Sequence, residues 1–244
     1  MSCRLLADTG AARGGRLVSK PDRFAALQAE RAAALSARLD ELLTLNGDER
    51  ALDIGTGTGA FAYALAPRVR ELVAVDADEE MAERARANAP ANVEVIVGDG
   101  EQLPFESFSF DLAVTARTLH HTPRPELVIA ELTRVTRPGG TILVVDHLAP
   151  VDPLAAFELN RFEKARDAST TRVLSDGDLR ALFDANGLVL QRDLVVHEPR
   201  EIETYLDLAG CEGHQREHAR SLAPQDYESV SGWYVLARGP ALPA

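Results

Sequence analysis

Three successive apolar runs of this sequence lead into an aspartate: Asp53 after Ala51-Leu52, Asp76 after Leu72-Val73-Ala74-Val75, and Asp99 just past Val93-Glu94-Val95-Ile96-Val97. A carboxylate at the tip of a strand is a bidentate hydrogen-bond acceptor. Asp76, about twenty residues beyond Asp53, stands where a ribose diol would be gripped. Directly after Asp53-Ile54 come three alternating glycines, Gly55-Thr56-Gly57-Thr58-Gly59. Glycines there let the backbone bend tightly and let a ligand approach where a Cβ would collide, and a strand-to-helix junction aims backbone N–H groups into the crevice. The spacing is Gly-x-Gly-x-Gly, not the Gly-x-Gly-x-x-Gly of dinucleotide sites. A second set of reactive groups is imidazole: His120 and His121 follow a fourth apolar run, and His147 follows a fifth. Histidine titrates near neutral pH and is the natural proton acceptor at the edge where open α/β sheets bind ligands.

The elements that must position these groups alternate between strand and helix, the pattern of a doubly wound sheet. The reading is strand 50–54, helix 58–67, strand 71–76, helix 78–89, strand 93–98, strand 109–115 and a helix from about 124 to 136. Arg137-Pro138-Gly139-Gly140 then breaks the helix ahead of a fifth strand, 141–146. Near-continuous apolar strands suit a parallel sheet covered on both faces. Upstream, residues 1–20 read as a glycine-rich flexible arm, and 21–46 as an N-terminal helix with Phe24, Leu27, Leu35, Leu39 and Leu42 on one face, stopped by Gly47. Downstream, 148–228 reads as a lid plus a sixth strand. Ser175-Asp176-Gly177-Asp178 has capping-box form, Leu188 to Val196 returns as a strand, and Glu201 to Ala209 is helical. A last strand falls within 229–238. The expected class is α/β: a mostly parallel, seven-stranded Rossmann-like sheet with an antiparallel edge strand and a helical lid, in one domain over 1–244.

Composition narrows the partners. With 38 acidic and 26 basic side chains the net charge is −12, which disfavours a nucleic-acid backbone as ligand. Cys3 and Cys211 show neither metal spacing nor a disulfide framework, so a cytoplasmic location is expected and no metal is. No stretch approaches the ~18 apolar residues of a membrane span, and the N-terminus, with Arg4, Asp8, Arg13 and Arg16, lacks the apolar core of a signal peptide. Oligomeric state stays open, a homodimer being one option.

The stretch Asp53-Ile54-Gly55-Thr56-Gly57-Thr58-Gly59, with Asp76 and Gly98-Asp99-Gly100 in order behind it, resembles the motifs of the class I S-adenosylmethionine-dependent methyltransferases. Gly98-Asp99-Gly100-Glu101-Gln102-Leu103-Pro104-Phe105, His120-His121 and Arg137-Pro138-Gly139-Gly140 are similar to the ubiquinone/menaquinone-biosynthesis-type (type 11) branch that acts on small molecules. The resemblance covers about 21–237 and is tightest over 51–147. The branch's Arg-Asp-Pro-Ser-His segment stands here as Arg166-Asp167-Ala168-Ser169-Thr170, without the proline and the histidine.

The resemblance implies S-adenosylmethionine as cofactor and assigns it Asp53, Gly55, Thr56, Gly57 and Gly59 at the first turn and Asp76, Ala77 and Met81 at the second. It adds Gly98, Asp99 and Gly100 at the third, where Asp99 would meet the adenine amino group, and Ala116 and His121 beyond the fourth strand. Methyl transfer from a sulfonium chiefly needs alignment and exclusion of water, with a general base where the acceptor is a hydroxyl or an acidic carbon. His121 and His147 are the expected acceptor-side groups. Thr115-Ala116-Arg117 lacks the Asn/Asp-Pro-Pro-Tyr/Phe that grips planar amines, so O- or C-methylation of a small molecule is expected. Blander roles stay open: Asp53 satisfying backbone donors, Asp76 capping the next helix, Asp99 serving a turn, Asp111 as a structural charge, and the histidines as packing groups. So do two other functions, a non-catalytic S-adenosylmethionine binder and a nicotinamide-dependent oxidoreductase.

Overall fold

A computed structural model describes residues 32–239. The arm at 1–20 and the first part of the N-terminal helix lie outside the described residues. A helix through 32–42, here α1, is followed by β1 (Arg50–Ile54), α2 (Ala60–Leu65), β2 (Glu71–Asp76), α3 (Glu79–Arg86), β3 (Val93–Val97), β4 (Phe110–Ala116), α4 (Pro125–Val135) and β5 (Thr136–His147). Then come α5 (Pro153–Arg166), α6 (Asp176–Ala185), β6 (Leu188–Pro199), α7 (Ile202–Leu208), α8 (Gly213–Leu222) and β7 (Glu228–Arg238).

The seven strands form one sheet in the order β3-β2-β1-β4-β5-β7-β6. The β1–β2, β2–β3, β1–β4 and β4–β5 pairs are parallel, whereas β7 runs antiparallel to both β5 and β6. The antiparallel character of the far edge is thus carried by β7, with β6 outermost. Strand order reverses between β1 and β4. At such a switch point the flanking connections cross to opposite faces and leave a crevice at the carboxyl ends of the strands.

Period-two alternation divides the core between the two faces. Leu52, Ile54, Val73, Val75, Ile142 and Val144 pack with Val128, Leu132 and Leu179 of α4 and α6. Ala51, Leu72, Ala74, Leu112, Val114, Leu143 and Val145 pack with Leu39, Ala62, Leu65, Ala82 and Ala85 of α1, α2 and α3. The lid has its own core, in which Phe162, Tyr205, Leu206, Cys211, Ala219 and Tyr227 join α5, α7 and α8. Among the described residues no helix is long and apolar enough to cross a membrane.

Beyond shifts of one to three residues at several element ends, three differences from the sequence reading change the path of the chain. The first helix ends at 42, ahead of Gly47. Asn46 and Gly47 instead donate their N–H groups to the Glu49 carboxylate at 2.8 and 2.9 Å, which folds the connection back before β1. Arg137-Pro138-Gly139-Gly140 lies inside β5. Pairing steps from Phe110↔Thr136 to Leu112↔Thr141, so the segment is an irregularity within the strand, where a missing N–H and the positive φ of Gly139 (75°) are tolerated. Residues 210–224, too charged to assign by pattern, contain α8.

Candidate active site

The first βα turn is built by β1 and fastened to β2. Gly55 and Thr56 both donate N–H to the Val75 carbonyl, at 2.8 and 3.1 Å, and Gly57 donates to Asp76 Oδ2 at 2.7 Å. Three of the turn's N–H groups are therefore spent on β2, fewer than the sequence reading leaves for a ligand. Gly55 and Gly57 have φ of 73° and 55°, which side chains rarely adopt. Their surroundings differ. A Cβ on Gly55 would run into the side chain of Thr118, whereas a Cβ on Gly57 would meet nothing among the described residues within 4 Å. Gly55 is required by packing and the turn; among the described residues open space lies in front of Gly57. Gly59 opens α2 in the left-handed conformation.

The register brings the assigned residues to one edge. Ile54 pairs with Val75 and Thr115, and Asp76 with Val97, so Gly55, Asp76, Ala77, Gly98 and Ala116 all emerge at the carboxyl ends of neighbouring strands. Asp76 Oδ1 accepts from Asp78 N–H at 2.9 Å, but the cap of α3 is Asp78, which accepts from Glu80 and Met81. Met81 is half-buried on that helix. Gly98 donates to the Asp76 carbonyl at 2.9 Å, and a Cβ on Gly100 would press on Ile54 Cγ2 at 2.6 Å. Asp99 is exposed and accepts Glu101 N–H at 2.8 Å, which makes it a turn residue with acceptor capacity to spare. Asp111 lies at the other end of the sheet, taking Arg50 N–H at 2.7 Å and facing Arg137.

Asp53 stands apart from the other two. It is 1% exposed, and neither carboxylate oxygen has a hydrogen-bond partner among the described residues; nor has the hydroxyl of Thr56. Burial raises its pKa to about 7, opposed by the neighbouring Thr56 hydroxyl and reinforced by the charge of Asp76. A buried carboxylate with no donor is costly on its own. It is not satisfying backbone donors at the turn.

Beyond β4, a single turn over Leu119–His121 carries two of the three histidines. His120 is buried, its Nδ1 bonded to Asp146 Oδ1 and its backbone N–H donating to Asp146 Oδ2 at 3.2 Å. Burial works to raise the Asp146 carboxyl, but His120 and His147 outweigh it and hold the group below its ordinary range. The rings of His121 and His147 lie 4.0 and 5.1 Å from that of His120, centroid to centroid. Burial drives His147 well below the usual histidine pKa, aided by His120 and Arg117 and opposed by Asp146, so its ring is neutral at pH 7. His121 Nδ1 lies 2.9 Å from Ser169 Oγ, which lies 2.6 Å from Asp167 Oδ1. The sequence reading missed Asp146, Asp167 and Ser169 as partners. Asp146 had one visible signal, for it closes an apolar strand as Asp53 and Asp76 do. Thr170, where the resembled segment has histidine, is buried, and its hydroxyl has no partner among the described residues.

On the far side of His147 a cavity of about 650 Å³ opens between α5 and the β6–β7 hairpin. Leu148, Leu159, Val173, Val195, Tyr227 and Val230 line it together with the carboxylates of Glu158, Glu163, Asp176, Asp226 and Glu228, and among the described residues its wall contains no lysine or arginine. Glu163, at its inner end, is 2% exposed, pairs with Arg166 at 2.9 Å and accepts from Tyr205 and Tyr227 at 3.1 and 2.5 Å.

Comparison with known proteins agrees with this architecture. Residues 52–144, from β1 into β5, match the family model of a methyltransferase domain. The chain is 35% identical over 119 residues to the uncharacterized methyltransferase YcgJ of Bacillus subtilis, covering 49% of this chain and 47% of that protein. It is 31% identical over 120 residues to the phthiotriol/phenolphthiotriol dimycocerosates methyltransferase of Mycobacterium leprae, covering 49% and 42%. The chain thus spans about half the length of the curated relatives it matches. The crystal structure of YcgJ from Bacillus subtilis superimposes with a TM-score of 0.77 at 25% identity, over 85% of this chain and 99% of that one. Over 52–144 the chain thus matches a methyltransferase domain, and its sheet order and fold are similar to those of the class I S-adenosylmethionine-dependent methyltransferases.

Proposed function

We propose that this chain transfers a methyl group from S-adenosylmethionine to an oxygen or carbon of a small molecule. The observation that carries the reading is the unpartnered Asp53 carboxylate, buried in the strand that leads into a turn with open space at Gly57. A buried carboxyl with no partner among the described residues is suited to a cationic donor that would stabilise its ionised form, and the α-ammonium of the methyl donor is one. In this reading Asp53 holds that ammonium, Asp76 accepts from the ribose hydroxyls, and Asp99 accepts from the adenine amino group. Met81 and Ala77 line the adenosine, and Gly57 leaves its path clear. S-adenosylmethionine supplies an electrophilic methyl on a sulfonium, whose sulfur leaves as a neutral thioether.

The protein's own task is then to orient the acceptor, exclude water and take a proton. The cavity beyond His147 suits the acceptor: its largely apolar wall without lysine or arginine favours an apolar body that carries no negative charge. A relative named for a phthiotriol acceptor agrees with a small-molecule substrate. His147 lines that cavity, and its ring lies 5.1 Å from that of His120, which is in turn 4.0 Å from that of His121 on the turn after β4. No nucleic acid enters this reading, given the net charge of −12.

Calorimetric titration with S-adenosylhomocysteine and, separately, NADH tests the cofactor. Saturable binding of the first alone is expected, and binding of NADH alone overturns the reading. A labelled-methyl assay across phenolic and carbon-acid acceptors tests turnover; cofactor binding without transfer to any acceptor marks a non-catalytic binder.

A further inference from the structure

We infer that Ser169 and Asp167 are positioning residues that hold His121 as the Nδ1–H tautomer and so leave its Nε2 lone pair to take the proton of the methyl-accepting atom. The inference rests on the methyl transfer proposed above and assigns the base within it.

The protons shared among Asp167, Ser169 and His121 fix the tautomer. Ser169 Oγ has one, and it has two neighbours at hydrogen-bonding distance, Asp167 Oδ1 at 2.6 Å and His121 Nδ1 at 2.9 Å. An ionised carboxylate only accepts, so a serine that gave its proton to His121 would leave two oxygen acceptors face to face at 2.6 Å. The proton therefore lies toward Asp167, the shorter and charge-assisted bond. Ser169 Oγ can then only accept from His121, and Nδ1 must carry hydrogen. A neutral imidazole with Nδ1–H has its lone pair on Nε2.

The charges around the ring are consistent with both assumptions. Burial raises and Ser169 lowers the pKa of Asp167, with His121 and Arg166 adding to the lowering, and the net shift is downward, so the carboxylate is ionised at pH 7. The titratable groups facing His121 are His120 on its own turn, Asp146 on β5 and Asp167 on the lid segment. Burial and His120 outweigh the Ser169 backbone and the two carboxylates, and His121 stays neutral.

The serine is also held independently of the histidine. Ser169 N–H donates to Asp167 Oδ1 at 3.0 Å, Thr171 N–H and Oγ1 donate to the His120 carbonyl at 2.8 and 2.9 Å, and Gln215 holds the Arg166 carbonyl at 3.0 Å. His120, with Nδ1 already on Asp146 and its ring buried, has no comparable side-chain relay to the lid among the described residues.

In the step this arrangement serves, the O–H or C–H bond of the acceptor breaks and its proton goes to Nε2. The electron pair stays on the acceptor atom, which thereby becomes the nucleophile. His121 becomes the imidazolium, whose Nδ1–H remains on Ser169 and whose charge faces Asp167. Proton, pair and charge balance without a further reagent.

The test is long-range 1H–15N correlation of the histidine rings in the ligand-free protein at pH 7.5, alongside steady-state kinetics. Wild type should show His121 protonated at Nδ1. Ser169→Ala, a change at an exposed position, should move His121 toward the Nε2–H tautomer and lower kcat roughly 10- to 100-fold at unchanged acceptor KM. Ser169→Thr should restore both. Asp167→Asn should weaken the preference and shift the acidic limb of the kcat profile. A wild-type His121 protonated at Nε2, or a tautomer that Ser169→Ala leaves unchanged, overturns the inference. Absence of methyl transfer in wild type would sink the proposed function, while the tautomer reads out separately.

Discussion

Gly57 donates its backbone N–H to Oδ2 of Asp76 at 2.7 Å, so the glycine with open space in front of it is tethered to the tip of the neighbouring strand. The other oxygen of Asp76 takes the N–H of Asp78 at 2.9 Å. Each oxygen keeps lone-pair capacity for a ligand hydroxyl, and the same carboxylate that grips a ribose would also hold the turn in shape. Asp76→Ala should therefore weaken S-adenosylhomocysteine binding by about 1.5–3 kcal/mol. Calorimetry checks this, and unchanged affinity would remove the ribose role.

Asp53 makes cofactor affinity depend on pH. Its carboxyl, raised to about 7 by burial, must lose a proton to face an ammonium. Affinity for S-adenosylhomocysteine should fall by up to about tenfold per pH unit below 7 and level off above it. Proton release on binding, measured by calorimetry in buffers of different ionisation enthalpy, should rise as pH falls below 7. Stability of the free protein runs the other way. With a raised folded pKa, the contribution of Asp53 is fully present below the ordinary carboxylate pKa and is lost as pH rises through about 7. Asp53→Asn should abolish the pH dependence of binding.

The first two glycines of the turn should respond differently. Gly55→Ala forces a methyl against Thr118 at positive φ, and should cost about 2–4 kcal/mol of unfolding free energy in urea. Gly57→Ala meets only the backbone strain, about 1–2 kcal/mol. Gly57→Val should leave a folded protein by circular dichroism that no longer binds S-adenosylhomocysteine; wild-type binding by that variant would contradict the crevice assignment.

Asp146 and His121 should separate stability from turnover. Asp146→Ala strands a buried imidazole and two backbone donors, those of His120 and His147, and should cost about 3–5 kcal/mol. Because the folded pKa of Asp146 is lowered, its contribution is present above the ordinary carboxylate pKa and is lost as pH falls through the lower folded value. His121→Ala should melt near wild type yet lose turnover; equal kcat across pH would return His121 to the scaffold.

Much of this was legible in the chain. Strands β1 and β2 were readable to the residue, because each is an apolar run between polar residues and both faces are buried. The start of β5 was not, since Pro138-Gly139-Gly140 is ordinary stop punctuation and only pairing with β4 draws it into the sheet. Helix α8 was hidden by its charge. What fixes it is the apolar contact of Ala219 together with Arg216 and Arg220, which converge on Glu203 of α7 at 2.7 and 2.6 Å. The carboxylates at strand tips could be seen because motif spacing is local. The bonds from His120 to Asp146 and from His121 to Ser169 span 26 and 48 residues, and no local pattern encodes them.

The most direct measurement is a crystal structure grown with S-adenosylhomocysteine. The ligand's ammonium should lie within about 3 Å of Asp53, its ribose on Asp76, and its purine beside Gly98 and Asp99. A ligand bound elsewhere, or a crevice closed by the chain with Asp53 satisfied from within, would contradict it.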